Sequence, residues 1–575
     1  MKYSLLLCMA LLSYCLTAQN LVITNATIVD VHTGKLIEKQ NLLIENGIIT
    51  TMSRKTVKNK NEYQVIDASG KYLMPGMIDT HIHFFQTGSL YTRPDAMDMT
   101  DVVAYEDELA FAEELVNDSF KRYLRLGITT VMDVGGPFSN FKVRDAMATA
   151  NMSPNVYVTG PLFSPYQPEA LAKIDDVPIE KITSIDDATA LFNKMLPYKP
   201  DFIKIWYIAS PAIPAEKTYP IVQHIAQLAH DNNLKLAVHA TQLNTATLAI
   251  KAGADILVHS VDDKEVTEEF AQLLKNNNVT YIPTLIVSKN YFTTFAGTPS
   301  NHPQDLNFAN PTTYRSLTDV QRYTKETMPA VLQRFQGNTE AFLAYYDTNT
   351  ALMEKNLKFL QDRGVNIATG TDAGNIGTMH ASSYIQEVEA MERGGLTNAQ
   401  LLKAATINAA QGFGLDATLG SITEGKIADI IVLEKNPITD IQHLNTIESV
   451  IKDGTILYAS DIIKETPEQI VQRQVNAYNA RDIDAFVDTY ADNIEIFDFP
   501  NKPGMKGKEA LRSQFSTMFD RVPNLYCEIK NRIVLGNKVV DREHVRFGDQ
   551  YSDVIAIYEI QDGKIAKVTF LSGKE

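Results

Sequence analysis

Six side chains in this chain, His81, His83, Lys204, His239, His259 and Asp372, are of types that hold divalent cations. Each stands at or near the end of a short apolar run: Gly76–His83, Asp201–Trp206, Lys235–His239, Ile256–His259 and Asn366–Gly374. His81 and His83 are two apart, so on a strand both imidazoles point to one face. Lys204 lies inside Phe202-Ile-Lys-Ile-Trp206, where a charged ammonium would need desolvation and a partner. Burial lowers a lysine pKa, and the neutral amine can take up carbon dioxide as a carbamate, a bidentate anion able to bridge two cations. Asp372 sits among the small residues of Gly370-Thr-Asp-Ala-Gly374, where a carboxylate can bind a metal and accept a proton from water. Taken singly, each histidine could be a satisfied core or surface residue and the lysine an ordinary ion pair. Taken together they predict one binuclear metal site, provided the five runs converge.

The elements that would bring them together can be read from the pattern. Residues 129–134, 156–159 and 281–285 supply three further strands, making eight in all. Helical stretches lie between them. Leu109 to Leu126 carries apolar residues at helical spacing and stops at Gly127. Leu243 to Gly253 separates His239 from His259, and a capping box at Thr397–Gln400 opens a helix expected to run through Ala410. Strand–helix alternation repeated eight times predicts an α/β fold, a (β/α)8 TIM barrel over 76–415, whose sites form at the carboxyl ends of the strands. Residues 289–355 form a long insertion before the last strand, read as a helical lid. Alternating patterns in 19–75 and 416–460, with hairpin signals at Asn46-Gly47 and Asp453-Gly454, predict a small β-sandwich built from both flanks. From Thr466, where a capping box with Pro467 starts a helix, residues 466–575 read as a separate α+β domain ending in a hairpin at Asp562-Gly563.

At 575 residues the chain is too long for one core. A formal charge of −16 argues against nucleic-acid and anionic-membrane partners and says nothing finer about the substrate, for which a small molecule is the expectation. Residues 1–18 have the charged start, apolar stretch and small-residue exit of a secretory signal peptide, so the expectation is an exported protein with no transmembrane segment in the mature chain. A lipoprotein reading of Cys15 is disfavoured by Tyr14, where a small residue is wanted. Without Cys8 and Cys15, Cys527 is the only thiol left, and no internal disulfide can form. Homo-oligomer formation stays open.

The ordered set HxH, Lys, His, His, Asp resembles the amidohydrolase superfamily in its binuclear form with a carboxylated lysine. Pro75–His83 is similar to the family's first-strand signature, Val238–Ala240 with Ala252–His259 to its fifth and sixth strands, and Gly370–Gly374 to its eighth. Gly420–Ile430 is similar to the segment returning to the sandwich. The resemblance covers roughly residues 21 to 458. It implies two divalent metal ions, for which Zn2+ suits the donors best, with a CO2-derived carbamate on Lys204 bridging them. His81 and His83 would hold the buried ion, His239 and His259 the exposed one, and Asp372 would act as ligand and general base. The implied reaction is hydrolysis of a C–N bond, in an amide, cyclic amide or small peptide, by attack of a metal-bridging hydroxide. Within the superfamily the chain is most similar to the imidazolonepropionase-like group with its prolidase-like dipeptidases. It departs from the dipeptidase pattern at Gly160–Gln167 and Trp206–Pro211. Tyr207 and His380 are candidate substrate contacts. The last 110 or so residues resemble the SnoaL-like branch of the nuclear-transport-factor-2 (NTF2-like) cone fold, with Asp498 a candidate acid/base group in its pocket. Two alternatives are a scaffold or ligand-binding protein whose cone is the working site, and a mononuclear deaminase, which would leave Lys204 and His259 idle.

Overall fold

The computed structural model describes residues 20–55, 63–324 and 326–572. The signal-peptide expectation, with Cys8 and Cys15, lies outside the described residues. Among those described, no helix is long and apolar enough to cross a membrane.

The eight expected middle strands are present: Met77–Ile82, Ile128–Asp133, Asn155–Val158, Ile203–Trp206, Leu236–His239, Ile256–Val258, Thr280–Ile282 and Asn366–Ile367. All pair in parallel, and the first two are buried at every position, as parallel strands covered on both faces require. They fall into two sheets. The first three strands form one, and the other five form the second with two added short strands, Leu162–Ser164 and Ile179–Lys181. Hydrogen bonds cross both gaps. At one, Thr80 N–H donates to Thr369 O (3.1 Å), Asp372 N–H donates to His81 O (2.7 Å), and Ile82 bridges Ala373; at the other, Asp201 N–H donates to Val158 O (3.0 Å).

Helices Tyr105–Arg125 and Leu243–Ala252 follow the predicted spacing, and Gly253 (φ 109°) ends the second in the left-handed region. The helix opened by the Thr397–Gln400 capping box stops at Ala404 instead of continuing to Ala410, and a second helix spans Ile407–Gly412. The reason is tertiary. The carbonyls of Ala404 and Ala405 accept from Thr369 N–H and Ile78 N–H, so they are taken by the strands and not by a continued helix.

The flanks, expected to build a small β-sandwich from both ends, form a single hydrogen-bonded sheet of eight strands. Strand Tyr72–Pro75 of the first flank pairs antiparallel with Ile430–Leu433 of the second, and Leu21, Ile23, Leu42, Ile44, Ile430 and Ile451 share one core. The Asn46-Gly47 and Asp453-Gly454 turns have positive φ at both residues, as a tight hairpin needs.

The insertion is helical: Val287–Phe295, Pro303–Phe308, Pro311–Thr318, Ala330–Gln336 and Thr339–Asp362. It also carries the C-terminal domain. Leu306, Tyr314 and Leu317 of the insertion share one apolar core with Ile470, Val471 and Phe486, and buried Asn476 donates to Pro311 O (2.8 Å). That domain consists of helices Pro467–Ala480, Ile483–Asp488 and Lys508–Arg521 with a six-stranded sheet, in the order Lys502–Lys506, Tyr490–Asp498, Lys564–Ser572, Gln550–Gln561, Lys538–Phe547, Tyr526–Leu535. Cys527 is a free, buried thiol.

Candidate metal centre

All six predicted residues line one cavity of about 220 Å³ at the carboxyl ends of the middle strands. His81 lies in Met77–Ile82 and His83 directly follows it, Lys204 lies in Ile203–Trp206, His239 ends Leu236–His239, and His259 directly follows Ile256–Val258. His259 (φ 76°), Thr284 (φ 44°) and Asp372 (φ 63°) are all left-handed, a conformation non-glycine residues adopt at a cost. Three strand ends are thus bent by their surroundings at the point where they meet.

The closest group is His81, His83 and Asp372. The two Nε2 atoms are 3.3 Å apart, and each lies 3.2 Å from Asp372 Oδ1. His83 Nδ1 donates to Gly135 O (2.7 Å), so in the neutral ring Nε2 presents a lone pair to the Asp372 carboxylate. Asp133 holds that carbonyl in place by accepting from Gly135 N–H (3.0 Å) and from the Asn140 amide (2.7 Å). His259 Nδ1 lies 2.8 Å from Thr284 Oγ1, and its ring packs 4.8 Å from His81 and 4.3 Å from His239. Trp206 stacks edge-on at 5.8 Å from His239.

Burial favours the neutral form of three of these imidazoles: it lowers His81 to about 3 and holds His239 and His259 well below the usual range. Burial also pushes Asp372 up, but the surrounding imidazoles, His81 foremost, overturn this and hold its carboxyl well below the ordinary value. Lys204 is 2% exposed, has no hydrogen-bond partner among the described residues, and is lowered to about 7 by burial against the opposing pull of Asp372. Neutral lone-pair donors around an ionised carboxylate suit a cation at their centre. His81, His259 and Asp372 offer ligand atoms all within 4.8 Å of one another, and His81 Nδ1 is buried without a partner. The donor set therefore fits the divalent metals this chemistry implies.

Asn375 donates to Asp372 Oδ1 (2.6 Å), a contact absent from the sequence reading although it lies three residues beyond Asp372. Its own Oδ1 accepts from Arg93 Nη1 (2.6 Å) and from Tyr291 OH (2.5 Å), and Asp95 grips Arg93 through two bonds of 2.7 and 2.6 Å. Nothing in the spacing around Arg93, in a loop, or Tyr291, in the insertion, pointed to this network. The loop is anchored in turn to the insertion: Leu90 N–H donates to Ser316 Oγ (3.1 Å) and Tyr91 OH to Asp319 (2.7 Å).

The two candidate substrate contacts are corrected. Tyr207 is 1% exposed, donates to Ala215 O (2.6 Å) and does not line the cavity. His380 is buried with both ring nitrogens committed: Nε2 donates to Gln86 O (2.8 Å) and Nδ1 accepts from Tyr123 OH (3.1 Å). Leu162 and Trp206, from the two loops that depart from the dipeptidase pattern, line the cavity instead.

Comparison with known proteins follows the same division of the chain. The amidohydrolase family model matches residues 72–457 and the SnoaL-like domain model residues 471–568. An ochratoxinase from Aspergillus niger is 42% identical over 96 residues, 16% of this chain. The chain spans only 15% to 19% of the length of the first curated relatives it matches. An imidazolonepropionase from Picrophilus torridus is 23% identical over 422 residues, covering 70% of this chain and 87% of its own. A solved Xaa-Pro dipeptidase with bound methionine in its active site superposes with a TM-score of 0.58 at 21% identity, covering 76% of this chain and 100% of its own, a likeness of fold. The chain belongs to the amidohydrolase family, with a SnoaL-like domain at its C-terminal end.

Proposed function

We propose that this protein is an exported, metal-dependent hydrolase that opens the C–N bond of an amide, a cyclic amide or a small peptide. The observation that carries the reading is the convergence of His81, His83, Lys204, His239, His259 and Asp372 on one cavity. The hydrogen bonds across both sheet gaps support a closed (β/α)8 barrel as the scaffold. In this reading His81 and His83 would hold one ion and His239 and His259 a second, with Asp372 and Lys204, carboxylated on its neutral amine, completing the donor set. Divalent ions such as Zn2+ supply Lewis acidity when bound, activating water at neutral pH and polarising a carbonyl.

The chain's own groups do the rest. Asp372, ionised and aimed by the Asn375 amide, takes a proton at its carboxylate and returns it to the departing nitrogen. Arg93 and Tyr291 fix Asn375, which limits the directions Asp372 can face. Phe85, Leu162, Trp206 and Met353 give the cavity an apolar wall that excludes bulk water from the reacting atoms.

The test is preparation with bicarbonate and Zn2+, metal analysis, and a screen of N-acyl amino acids, dipeptides and lactams, with Asp372→Asn as control. About two metals per chain and an amidase activity that collapses in the variant are expected. Unchanged turnover in Asp372→Asn with metal retained would sink the mechanism.

A further inference from the structure

Asp262 lines the same cavity as the six metal-type ligands, in the loop between His259 and helix Glu268–Asn276. Its backbone is pinned from two sides. Its N–H donates to Thr241 O (2.8 Å), and its carbonyl accepts from the Asn349 amide of the insertion helix Thr339–Asp362 (3.0 Å). The side chain is left over. It is half-buried, and beyond its own backbone N–H nothing among the described residues donates to it or forms an ion pair with it. The cations around it are committed elsewhere. Lys264 pairs with Asp263 (3.5 Å), Lys355 with Glu265 (2.5 Å) and Lys289 with Asp347 (2.6 Å). Inside the cavity, Asp95 grips Arg93, and burial pushes Lys204 toward its neutral form.

A carboxylate in such a place carries a cost that its neighbours do not offset. Burial and the adjoining Asp263 raise it to about 6, which still leaves it ionised at neutral pH. A pinned backbone, an open carboxylate and no competing cation are the conditions for holding a positive charge brought from outside. The wall of the same cavity includes Leu162, Trp206, Val287 and Met353, all apolar. The complement is therefore an apolar stem that ends in an ammonium group. An anionic group at that position would meet Asp262 with nothing to offset the repulsion.

We propose that Asp262 is a specificity-determining residue of the metal cavity, selecting substrates that carry a cationic amine on an apolar stem beside the amide to be cleaved. The ammonium donates to the Asp262 carboxylate while the stem packs on the apolar wall. The cleavage of that amide rests on the proposed hydrolase function, whereas the preference for a cation in binding does not.

Calorimetry on the full-length, metal-loaded chain tests it with Nα-acetyl-L-lysine, Nα-acetyl-L-norleucine and Nα-acetyl-L-glutamate, which share the amide and the α-carboxylate and differ in side-chain charge. The lysine derivative binds about tenfold tighter than the norleucine derivative, as one charge-assisted hydrogen bond predicts, and the glutamate derivative binds weakest. Asp262→Asn brings the lysine-to-norleucine ratio close to one. Asp262→Lys reverses the order and places the glutamate derivative above the lysine derivative. Circular dichroism verifies that both variants fold, and metal analysis verifies that both keep their ions. A ratio near one in the unmodified chain, a ratio unchanged in Asp262→Asn, or metal lost from that variant would each overturn the proposal. A protein that prefers the cationic derivative but cleaves no amide would sink the hydrolase reading and leave the charge selection standing; one that cleaves amides with no charge preference does the reverse.

Discussion

Asp372 at the mouth of the parallel strands and Glu543 in a cavity of the C-terminal domain are equally buried, each 6% exposed, yet their carboxyls are driven in opposite directions. Burial, with Asp541 adding to it, pushes Glu543 up to about 7 against the opposing pull of the Tyr558 hydroxyl and Arg532. At Asp372 burial pushes the same way, but His81, His83 and His259 surround the carboxylate and hold it well below its ordinary value. What differs is how completely the neighbours are committed. Around Asp372 the Asn375 amide, Arg93, Tyr291 and Asp95 form a network in which each group fixes the next. Around Glu543 most of the cavity wall is aromatic or aliphatic, with Tyr558 as its hydrogen-bond donor. Polar neighbours favour the ionised form of one carboxyl, and burial favours the protonated form of the other.

The comparison can be broken most directly at Asp372. Asp372→Asn keeps the shape and removes the base, so kcat should fall by about 10³-fold, within the range for a lost general base. Steady-state kinetics with metal analysis checks it, and a fall caused only by metal loss would show that the network serves binding and not proton transfer.

The next largest effect is expected in the other cavity. A carboxyl pushed up from 4.5 to about 7 is protonated in both folded and unfolded chains below the ordinary glutamate value and carries no cost there. Between the two values the unfolded chain ionises first, so stability is lost as pH rises, reaching a penalty of about 3 kcal/mol above the folded value. Glu543→Gln, which still accepts from Tyr558, should therefore raise Tm at alkaline pH, and the gain should vanish in acid. Thermal unfolding across pH measures this, and a gain that persists at low pH would mean the effect is packing.

Arg93→Met tests the network at one remove. With Asp95 left unpaired and Asn375 held by Tyr291 alone on that side, activity should drop roughly 10- to 100-fold, as for groups that orient metal ligands. The loss should appear mostly in kcat, with little change in KM, if Arg93 positions Asp372 and does not touch substrate.

The smallest expected effect joins the two regions. Asn476→Ala orphans the Pro311 carbonyl between the C-terminal helix and the insertion, at a cost of about 1–3 kcal/mol. Because the insertion also anchors Leu90 and Tyr91, in the loop leading to Arg93, a modest fall in kcat should accompany the lower Tm. A stability loss with unchanged kcat would show that the two regions are energetically separate.

The strands that carry the six candidate ligands were legible because apolar runs are local signals, and so were the hairpins at Asn46-Gly47, Asp453-Gly454 and Asp562-Gly563, which all turn where a left-handed pair is required. The helix that stops at Ala404 was misread because its carbonyls are claimed by strands far away in the chain. Tyr207 and His380 were read as substrate contacts because their residue types suit that role. Which way each points is decided by packing, and both point away from the cavity.

By itself, then, the sequence determined the set of metal-type ligands and the strand ends that present them, since ligand chemistry and strand periodicity are properties of a few adjacent residues. Only the tertiary structure decided what steers Asp372. The Arg93–Asn375 bond joins residues 282 positions apart, and no short window contains both partners. The cavity of the C-terminal domain is tertiary for the same reason: Gln474 and Glu543 sit on a helix and a strand with nothing in their local sequence to mark them. Local physics names the groups, and long-range packing chooses which of their lone pairs face each other.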